Sequence, residues 1–235
     1  MANIVLTLHG RYSVNVIDFY IEILKHKKFI YYNLPIVSIN HNTVVMKKYN
    51  NDERLDTINL NDNCNLKENK KLFSTLFVNM FGSYWKKNAI HGDLNENNII
   101  FVKEENKLIL VDLFDTMTIL KTKYRLFFLF LAEINELLRV YIKQSYDCYI
   151  DYFQYLKKKN DSFLIKTVKE ITNYLNVMFS CCNNNFHYLL ENKAKKFFKK
   201  YKFQFNLMVR KLKKIFIKEF KINANLAFDK KFEKL

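Results

Sequence analysis

The first fifty positions combine short apolar runs with one longer stretch of helical period. From Ser13 to Lys27 the apolar residues recur every three or four positions, which predicts an amphipathic helix. Phe29 to Asn33 and Pro35 to Ile39 are short apolar segments, and Thr43 to Tyr49 is rich in β-branched residues. These segments predict the strands of a small sheet beside one helix.

The middle of the chain predicts a helix followed by a β-hairpin. Asn50 to Asn65 is polar and turn-like, and helical spacing resumes from Lys70 to Lys87. Ile99 to Val102 and Leu108 to Leu113 are β-rich runs separated by a short, mostly charged segment. The pattern therefore predicts two strands joined by a polar connection.

After Thr116 the pattern predicts helices only. These are Tyr124 to Lys143, Tyr146 to Lys158, Ser162 to Phe179 and Phe186 to Lys221. The chain holds only 3 glycines and 1 proline, which disfavours turn-rich sandwiches and barrels because these residues supply the backbone angles of tight turns. The predicted fold class is α+β, with a small β-containing N-terminal part and a mostly helical C-terminal part.

Composition indicates a folded protein of one or two domains. A chain of 235 residues, 49% of them hydrophobic, can bury a sizeable core, and this excludes a disordered protein. The four cysteines have no metal-ligand spacing, since Cys181 and Cys182 are adjacent and no CxxC pair occurs, so we interpret them as reduced thiols. Because neither a signal peptide nor a membrane-spanning run is predicted, we expect a cytoplasmic protein.

Positive charge is concentrated at the C-terminal end. The formal net charge is +16, and the segment from Glu191 to Leu235 holds 15 Lys and Arg against 4 Asp and Glu. From Lys193 to Lys221 the lysines are interleaved with aromatic and aliphatic residues. Such a helix fits an anionic membrane surface, which would place the protein at the inner face of a membrane, and it fits nucleic-acid phosphates less well. Packing on the rest of the protein with a solvated lysine face, or biased codon composition, would explain the same pattern without a partner.

The candidate chemistry lies in the polar loop from His91 to Asn98, with the sequence HGDLNENN. Phosphoryl transfer from ATP needs an acid group beside the acceptor hydroxyl, oxygen ligands for Mg²⁺ and a cradle for the phosphates. An HxDxxxxN loop followed by an Asp just after the next hairpin supplies the first two. His91, Asp93 and Asn98 match that loop, and Asp112 follows the second predicted strand.

In these residues and their surroundings the chain resembles the protein-kinase-like superfamily. The resemblance implies ATP and Mg²⁺ as cofactors. It implies that His91 and Asp93 are catalytic, with Asp93 deprotonating the attacking hydroxyl. It also implies that Asn98 and Asp112 hold Mg²⁺, while Asp115 is a second acid near the metal and the nucleotide.

The sequence HGDL, which replaces the HRDL of many protein kinases, indicates a branch of this superfamily. It is similar to the small-molecule branch, which includes aminoglycoside and choline phosphotransferases, RIO-type kinases and the lipopolysaccharide Kdo and heptose kinases. HGDLNENNII followed by LILVDLFD is most similar to the Kdo kinase pattern. This similarity implies a small-molecule or saccharide acceptor, with the lipopolysaccharide core favoured.

On the N-terminal side the resemblance is partial. It implies that the helix from Ser13 is the kinase C-helix, with Glu22 as its ion-pairing carboxylate, and that Met46 lies near the adenine. Ile4 to Leu8 is the candidate for the strand that carries a phosphate-contacting lysine, but it holds no lysine, and Arg11 is the nearest cation. A glycine-rich loop is also missing from the pattern. These departures support an alternative, a pseudokinase or binding module that retains the kinase scaffold.

The resulting prediction is a protein-kinase-like fold with a truncated N-terminal β-lobe. Residues 1–50 are expected to form the reduced N-lobe, 51–190 a helical C-lobe with the catalytic loop, and 191–235 a basic amphipathic helix. The preferred function is an ATP- and Mg²⁺-dependent kinase of small molecules or saccharides. The pseudokinase follows, and a RIO-like or tRNA-modification-complex kinase acting near RNA comes last.

Overall fold

The structure is a computed structural model that describes residues 3–7, 36–40, 43–49, 53–83, 91, 93–111, 123–146, 163–181 and 191–223. The strands in these ranges are β1 (Asn3–Thr7), β2 (Ile36–Asn40), β3 (Thr43–Lys47), β4 (Ile99–Val102) and β5 (Lys107–Leu110). The helices are α1 (Leu60–Asn63), α2 (Leu66–Ser83), α3 (Lys123–Tyr146), α4 (Phe163–Cys181) and α5 (Glu191–Lys218). The fold is α+β and mostly helical, as predicted, and it agrees with a kinase-like fold that has a reduced N-lobe.

The N-terminal strands form an antiparallel sheet with the order β1-β3-β2. In the register of this sheet Thr7 lies opposite Thr43, and the pairing of β2 with β3 is irregular between Ile36 and Ser38. The strands predicted before Asn40 and after Asn42 are confirmed, and β1 overlaps Ile4 to Leu8, the candidate for the lysine-bearing strand, from Ile4 to Thr7. The predicted helix and first apolar strand between β1 and β2 lie outside the described residues.

The first helices begin where asparagine side chains cap them. The Asn59 side chain accepts the Asn61 N–H at the start of α1. Before α2, Asn65 and Glu68 form a capping box, in which each side chain accepts the backbone N–H of the other residue at 3.0 Å. Helix α2 therefore starts four residues before the predicted Lys70, and α1 occupies part of the segment predicted to be turn-like.

The hairpin of β4 and β5 is buried on both faces. Its strands pair from Ile99 with Leu110 to Val102 with Lys107, and Asn106 turns the chain with a φ of 44°. One face contributes to the main hydrophobic core, through Ile99, Phe101, Leu108 and Leu110. The other face forms what we call the second cluster, in which Ile100, Val102 and Ile109 pack with Tyr49 and Val111.

The C-terminal helices share the main core with α2. Aromatic rings from α2 and the end of α5 interlock there, with the Phe77 and Phe216 centroids 5.0 Å apart. Observed and predicted bounds of α3 and α4 agree within three residues. Helix α5 ends at Lys218, three residues before the predicted Lys221, and kinks at Tyr201, while the predicted start at Phe186 lies outside the described residues. The helix predicted from Tyr146 to Lys158 lies almost wholly outside the described residues. Within the described ranges no helix is long and apolar enough to cross a membrane.

Candidate active site

The loop before the hairpin holds Asp93 and Asn98 against each other. Asn98 is buried, with 7% of its surface exposed, whereas Asp93 is exposed. The Asn98 Nδ2 donates hydrogen bonds to the Asp93 Oδ2 at 2.9 Å and to the Asp93 carbonyl oxygen at 2.7 Å. Both bonds use the amide nitrogen, and no described residue donates a hydrogen bond to the Asn98 Oδ1. This oxygen is therefore available as a ligand.

Asn95 holds the other oxygen of the same carboxylate. Its Nδ2 donates to the Asp93 Oδ1 at 2.8 Å, and its own Oδ1 accepts the Asn97 backbone N–H at 2.9 Å. The second bond caps the short 3-10 turn Glu96–Asn98. The motif comparison did not single out Asn95, although its place at the start of a turn is a capping position. Two amides, one on each carboxylate oxygen, therefore fix the orientation of Asp93.

His91 is fully buried and connects the loop to the residue that precedes Asp112. Its Nε2 donates to the Val111 carbonyl oxygen at 2.9 Å, and its Nδ1 accepts the Asp93 N–H at 3.4 Å. The Val111 N–H in turn donates to the Asn98 carbonyl oxygen at 3.0 Å. The ring thus bonds the backbone on both sides of the site and acts as a positioning group.

The side of the loop that faces the helical body is tied to α3. The Glu96 carboxylate forms an ion pair with Lys143 and accepts a hydrogen bond from the Gln144 Nε2 at 3.4 Å. Gln144 is buried, its Nε2 donates to the Leu55 carbonyl oxygen at 2.8 Å, and its Oε1 accepts the Leu60 N–H at 2.9 Å. One side chain therefore joins α3, the start of α1 and the loop that carries Asp93.

Of the remaining predicted site residues, one lies within the described residues and three lie outside them. Met46 lies in β3, opposite Ile4 of β1. Glu22, Asp112 and Asp115 lie outside the described residues. The structure therefore brings together the three predicted residues of the HxDxxxxN loop, and their catalytic and metal-binding roles, like the other assignments, stay predictions.

The oxygen donors in the loop fit a hard cation. In the part of the chain that the structure describes, no group of three His, Cys, Asp or Glu side chains could hold a metal ion. The available donors are the Asn98 Oδ1 and the Asp93 carboxylate. Mg²⁺ takes oxygen ligands, and in nucleotide sites it is held by one or two protein groups together with phosphates and water. The loop suits a metal ion that arrives with a nucleotide.

A family model of the RIO domain matches residues 23–150, which is more than half of the chain and includes the loop, the hairpin and α3. The chain belongs to the RIO family. RIO domains are atypical protein-kinase-like domains, so the resemblance to that superfamily is confirmed, and the family is one of ATP-binding phosphotransferases. No curated protein matches the chain.

Membership in the RIO family changes which branch of the kinase-like superfamily is favoured for this chain. HGDL is similar to several kinase-like branches, and on the sequence alone the lipopolysaccharide kinases come first and the RIO-like kinases last. The match supports the RIO-like hypothesis and gives no support to the lipopolysaccharide assignment. The RIO domain ends between α3 and α4, so α4 and the basic helix α5 lie beyond the matched residues.

Proposed function

We propose that this RIO protein transfers the γ-phosphate of ATP, in the presence of Mg²⁺, to a hydroxyl group of its acceptor. The observation that carries the proposal is the pairing of Asp93 with Asn98, in which the amide orients the carboxylate and leaves its own oxygen available for a cation. A loop that only needed to be stable would not require an exposed carboxylate held on both oxygens.

In the proposed mechanism Asp93 accepts the proton of the acceptor hydroxyl. The acceptor oxygen then bonds to the γ-phosphorus, the bond from that phosphorus to the β,γ-bridging oxygen breaks, and ADP leaves. Asn98 and Asp112 would hold Mg²⁺, and His91 would keep the two parts of the site in register through Val111. When bound, Mg²⁺ neutralises the charge of the phosphates and aligns the transferred group.

The nucleotide is proposed to lie between β3 and the hairpin. Met46 of β3 and the second cluster would contact the base, because Tyr49 and Val111 bring the end of β3 and the residue before Asp112 to the same apolar face. Glu22 and Asp115 are proposed as further nucleotide-site residues on the strength of the resemblance alone. A cytoplasmic location is proposed as well, on the strength of the sequence alone.

A second candidate function is a binding module that retains the scaffold. The observation that favours it is the composition of β1, which lies beside β3 but contains no lysine to contact phosphates. Such a module would keep the loop of Asp93 for its structure, and its partner would not depend on the carboxylate.

Thermal unfolding with Mg²⁺ and ATP separates the two functions. A nucleotide that binds only the folded state raises the midpoint temperature of unfolding. We expect this rise to be lost in Asn98→Ala and in Asp112→Ala. Asp93→Asn should keep the rise but lose transfer of radiolabelled γ-phosphate to water or acceptor. Asp62→Asn, an exposed change on α1, is the matched control and should behave as wild type in both assays.

An unchanged midpoint for wild type at millimolar nucleotide would contradict the kinase proposal. A rise in the midpoint without any γ-phosphate transfer would favour the binding module. Equal transfer by wild type and Asp93→Asn would show that Asp93 is not the base.

A further inference from the structure

Helix α5 is strongly cationic, and its apolar face is already used. It carries eleven Lys and Arg and a single carboxylate, Glu191. The inner face packs into the main core through Phe198, Phe205, Met208, Val209, Leu212, Ile215 and Phe216. The apolar side that the sequence pattern assigned to a membrane interface is therefore occupied by the protein itself.

The outer face of α5 nevertheless exposes large apolar side chains. Phe203 is 77% exposed, Ile217 58% and Leu207 45%. At 100° per residue these three positions lie within one narrow sector opposite the buried face, and Arg210 and Lys214 lie between them on the same line. This line of mixed apolar and basic side chains runs along most of the helix after Tyr201.

The basic residues on this outer face have few acidic neighbours. Lys211, at the edge toward α4, forms an ion pair with Glu170. Glu219, just after the helix, is engaged by Lys70 of α2 at 2.8 Å. Arg210, Lys214 and Lys218 are exposed, and no described carboxylate lies in an ion pair with them. The surface therefore presents a positive field with apolar side chains inside it.

We propose that this outer face binds the surface of an anionic lipid bilayer. Phe203, Leu207 and Ile217 would enter the interface, and the long basic side chains would reach the lipid phosphates beside them. Nucleic-acid phosphates would attract the basic side chains equally well, but they would not bury the exposed leucine and isoleucine side chains. The combination of aliphatic and basic residues on one line favours the bilayer.

Co-sedimentation with vesicles tests the proposal in the full chain. Wild type should bind vesicles of phosphatidylcholine mixed with phosphatidylserine and should not bind phosphatidylcholine alone. The triple variant Arg210→Glu, Lys214→Glu, Lys218→Glu should weaken binding about tenfold or more, since each basic residue near the surface adds to the attraction. Phe203→Ser with Ile217→Ser should also weaken binding, although it changes no charge.

A matched control reverses the charge of three exposed lysines outside α5. Lys67→Glu, Lys71→Glu and Lys103→Glu change the net charge by the same amount on α2 and the hairpin, and this variant should bind almost as wild type does. Unchanged thermal midpoints for all variants would exclude unfolding as the cause. Equal losses of vesicle binding in the control and in the α5 triple variant would mean that binding depends on net charge alone, and would overturn the proposal.

Insertion is measured with a fluorescent reporter on the outer face. Phe203→Trp should be quenched by brominated lipids in anionic vesicles, with the wild-type signal of Trp85 as the background. Absence of quenching, or tight binding to single-stranded RNA together with no binding to anionic vesicles, would overturn the bilayer assignment. The second result would assign the surface to nucleic acid.

Discussion

At the scale of single residues, the orientation of Asp93 depends on two asparagines with different tasks. The Asn98 Nδ2 donates to Asp93, and its Oδ1 accepts no hydrogen bond from the described residues. The Asn95 Nδ2 also donates to the Asp93 carboxylate, but its Oδ1 accepts the Asn97 N–H and caps the turn. In the proposed mechanism, loss of Asn98 would therefore remove both the orientation of Asp93 and a Mg²⁺ ligand. Loss of Asn95 would remove the orienting bond and the cap of the turn, but no proposed metal ligand.

We expect Asn95→Ala to lower kcat about ten- to hundredfold with little change in the KM for ATP, because a misplaced base slows the chemical step. Asn95→Asp keeps the cap on Asn97 but cannot donate to Asp93, and it should be at least as slow. Asn97→Ala is the control, since the exposed Asn97 side chain accepts a hydrogen bond from Arg54, at 3.4 Å, and bonds no described residue of the site. Steady-state kinetics measure these effects, and wild-type kcat in Asn95→Asp would refute the role of the amide.

Gln144 is expected to carry a large share of the stability around the loop. Gln144→Ala leaves the buried backbone groups of Leu55 and Leu60 without their partner, and we expect a loss of about 2 to 4 kcal/mol in the free energy of unfolding. The neighbouring Lys143→Met removes a partly buried ion pair with Glu96 and should cost less than about 1 kcal/mol. Urea unfolding provides both values, and similar losses in the two variants would contradict this assignment.

The sequence identified the residues of the loop that follow a fixed spacing, but not those fixed by tertiary contacts. His91, Asp93 and Asn98 were predicted because their chemistry requires that spacing. Gln144 lies 84 positions from Leu60, and no local pattern indicates that its amide will reach that backbone. Asn95 was locally visible as a turn cap, although its bond to Asp93 was not.

At the scale of elements, hydrophobic periodicity predicted most helices and strands, and caps decided where they begin. The core positions of α2 and α3 follow from their apolar spacing. The start of α2 depends on Asn65 and Glu68, whose reciprocal bonds extend the helix into a polar segment that periodicity alone assigns to a turn. The strand β5 ends at Leu110, earlier than predicted, because periodicity does not show where pairing with β4 stops.

The contact between α3 and the end of α5 should be sensitive to alkaline pH. The Tyr141 hydroxyl is buried and donates to the Glu219 Oε1 at 3.0 Å. Burial, together with the neighbouring Tyr146 and Glu219, raises the pKa of Tyr141 far above the usual value near 10. Above pH 10 the unfolded chain loses this proton while the folded protein keeps it. Stability therefore falls as the pH rises through that range.

We expect Tyr141→Phe to lower the free energy of unfolding by about 1 to 2 kcal/mol near pH 8, because the hydrogen bond to Glu219 is lost. At pH 11 the difference from wild type should shrink by about 1.4 kcal/mol, since phenylalanine has no proton to lose. Urea unfolding at both pH values measures this change. A difference that stays constant would show that the Tyr141 pKa is not raised.

At the scale of the whole molecule, one core connects regions that the sequence divides. Buried residues of α2, α3, α4 and α5 belong to the same cluster, which continues past residue 191, the predicted start of a separate C-terminal part. Among the described residues, two side chains link the region of the N-terminal sheet to the hairpin. Lys47 lies 3.5 Å from Glu105 at the tip of the hairpin, and Tyr49 packs on the second cluster.

The second cluster sets an expectation for the calorimetry of nucleotide binding. Ile100, Val102 and Ile109 are already shielded from water by Tyr49 and Val111, so a base that docks there will displace little further water from apolar surface. Because the heat-capacity change of binding follows apolar burial, its magnitude for ATP should stay below about 0.1 kcal/mol/K. Titrations at several temperatures give this slope. A strongly negative value would mean that Tyr49 leaves the hairpin in the free protein and returns with the ligand.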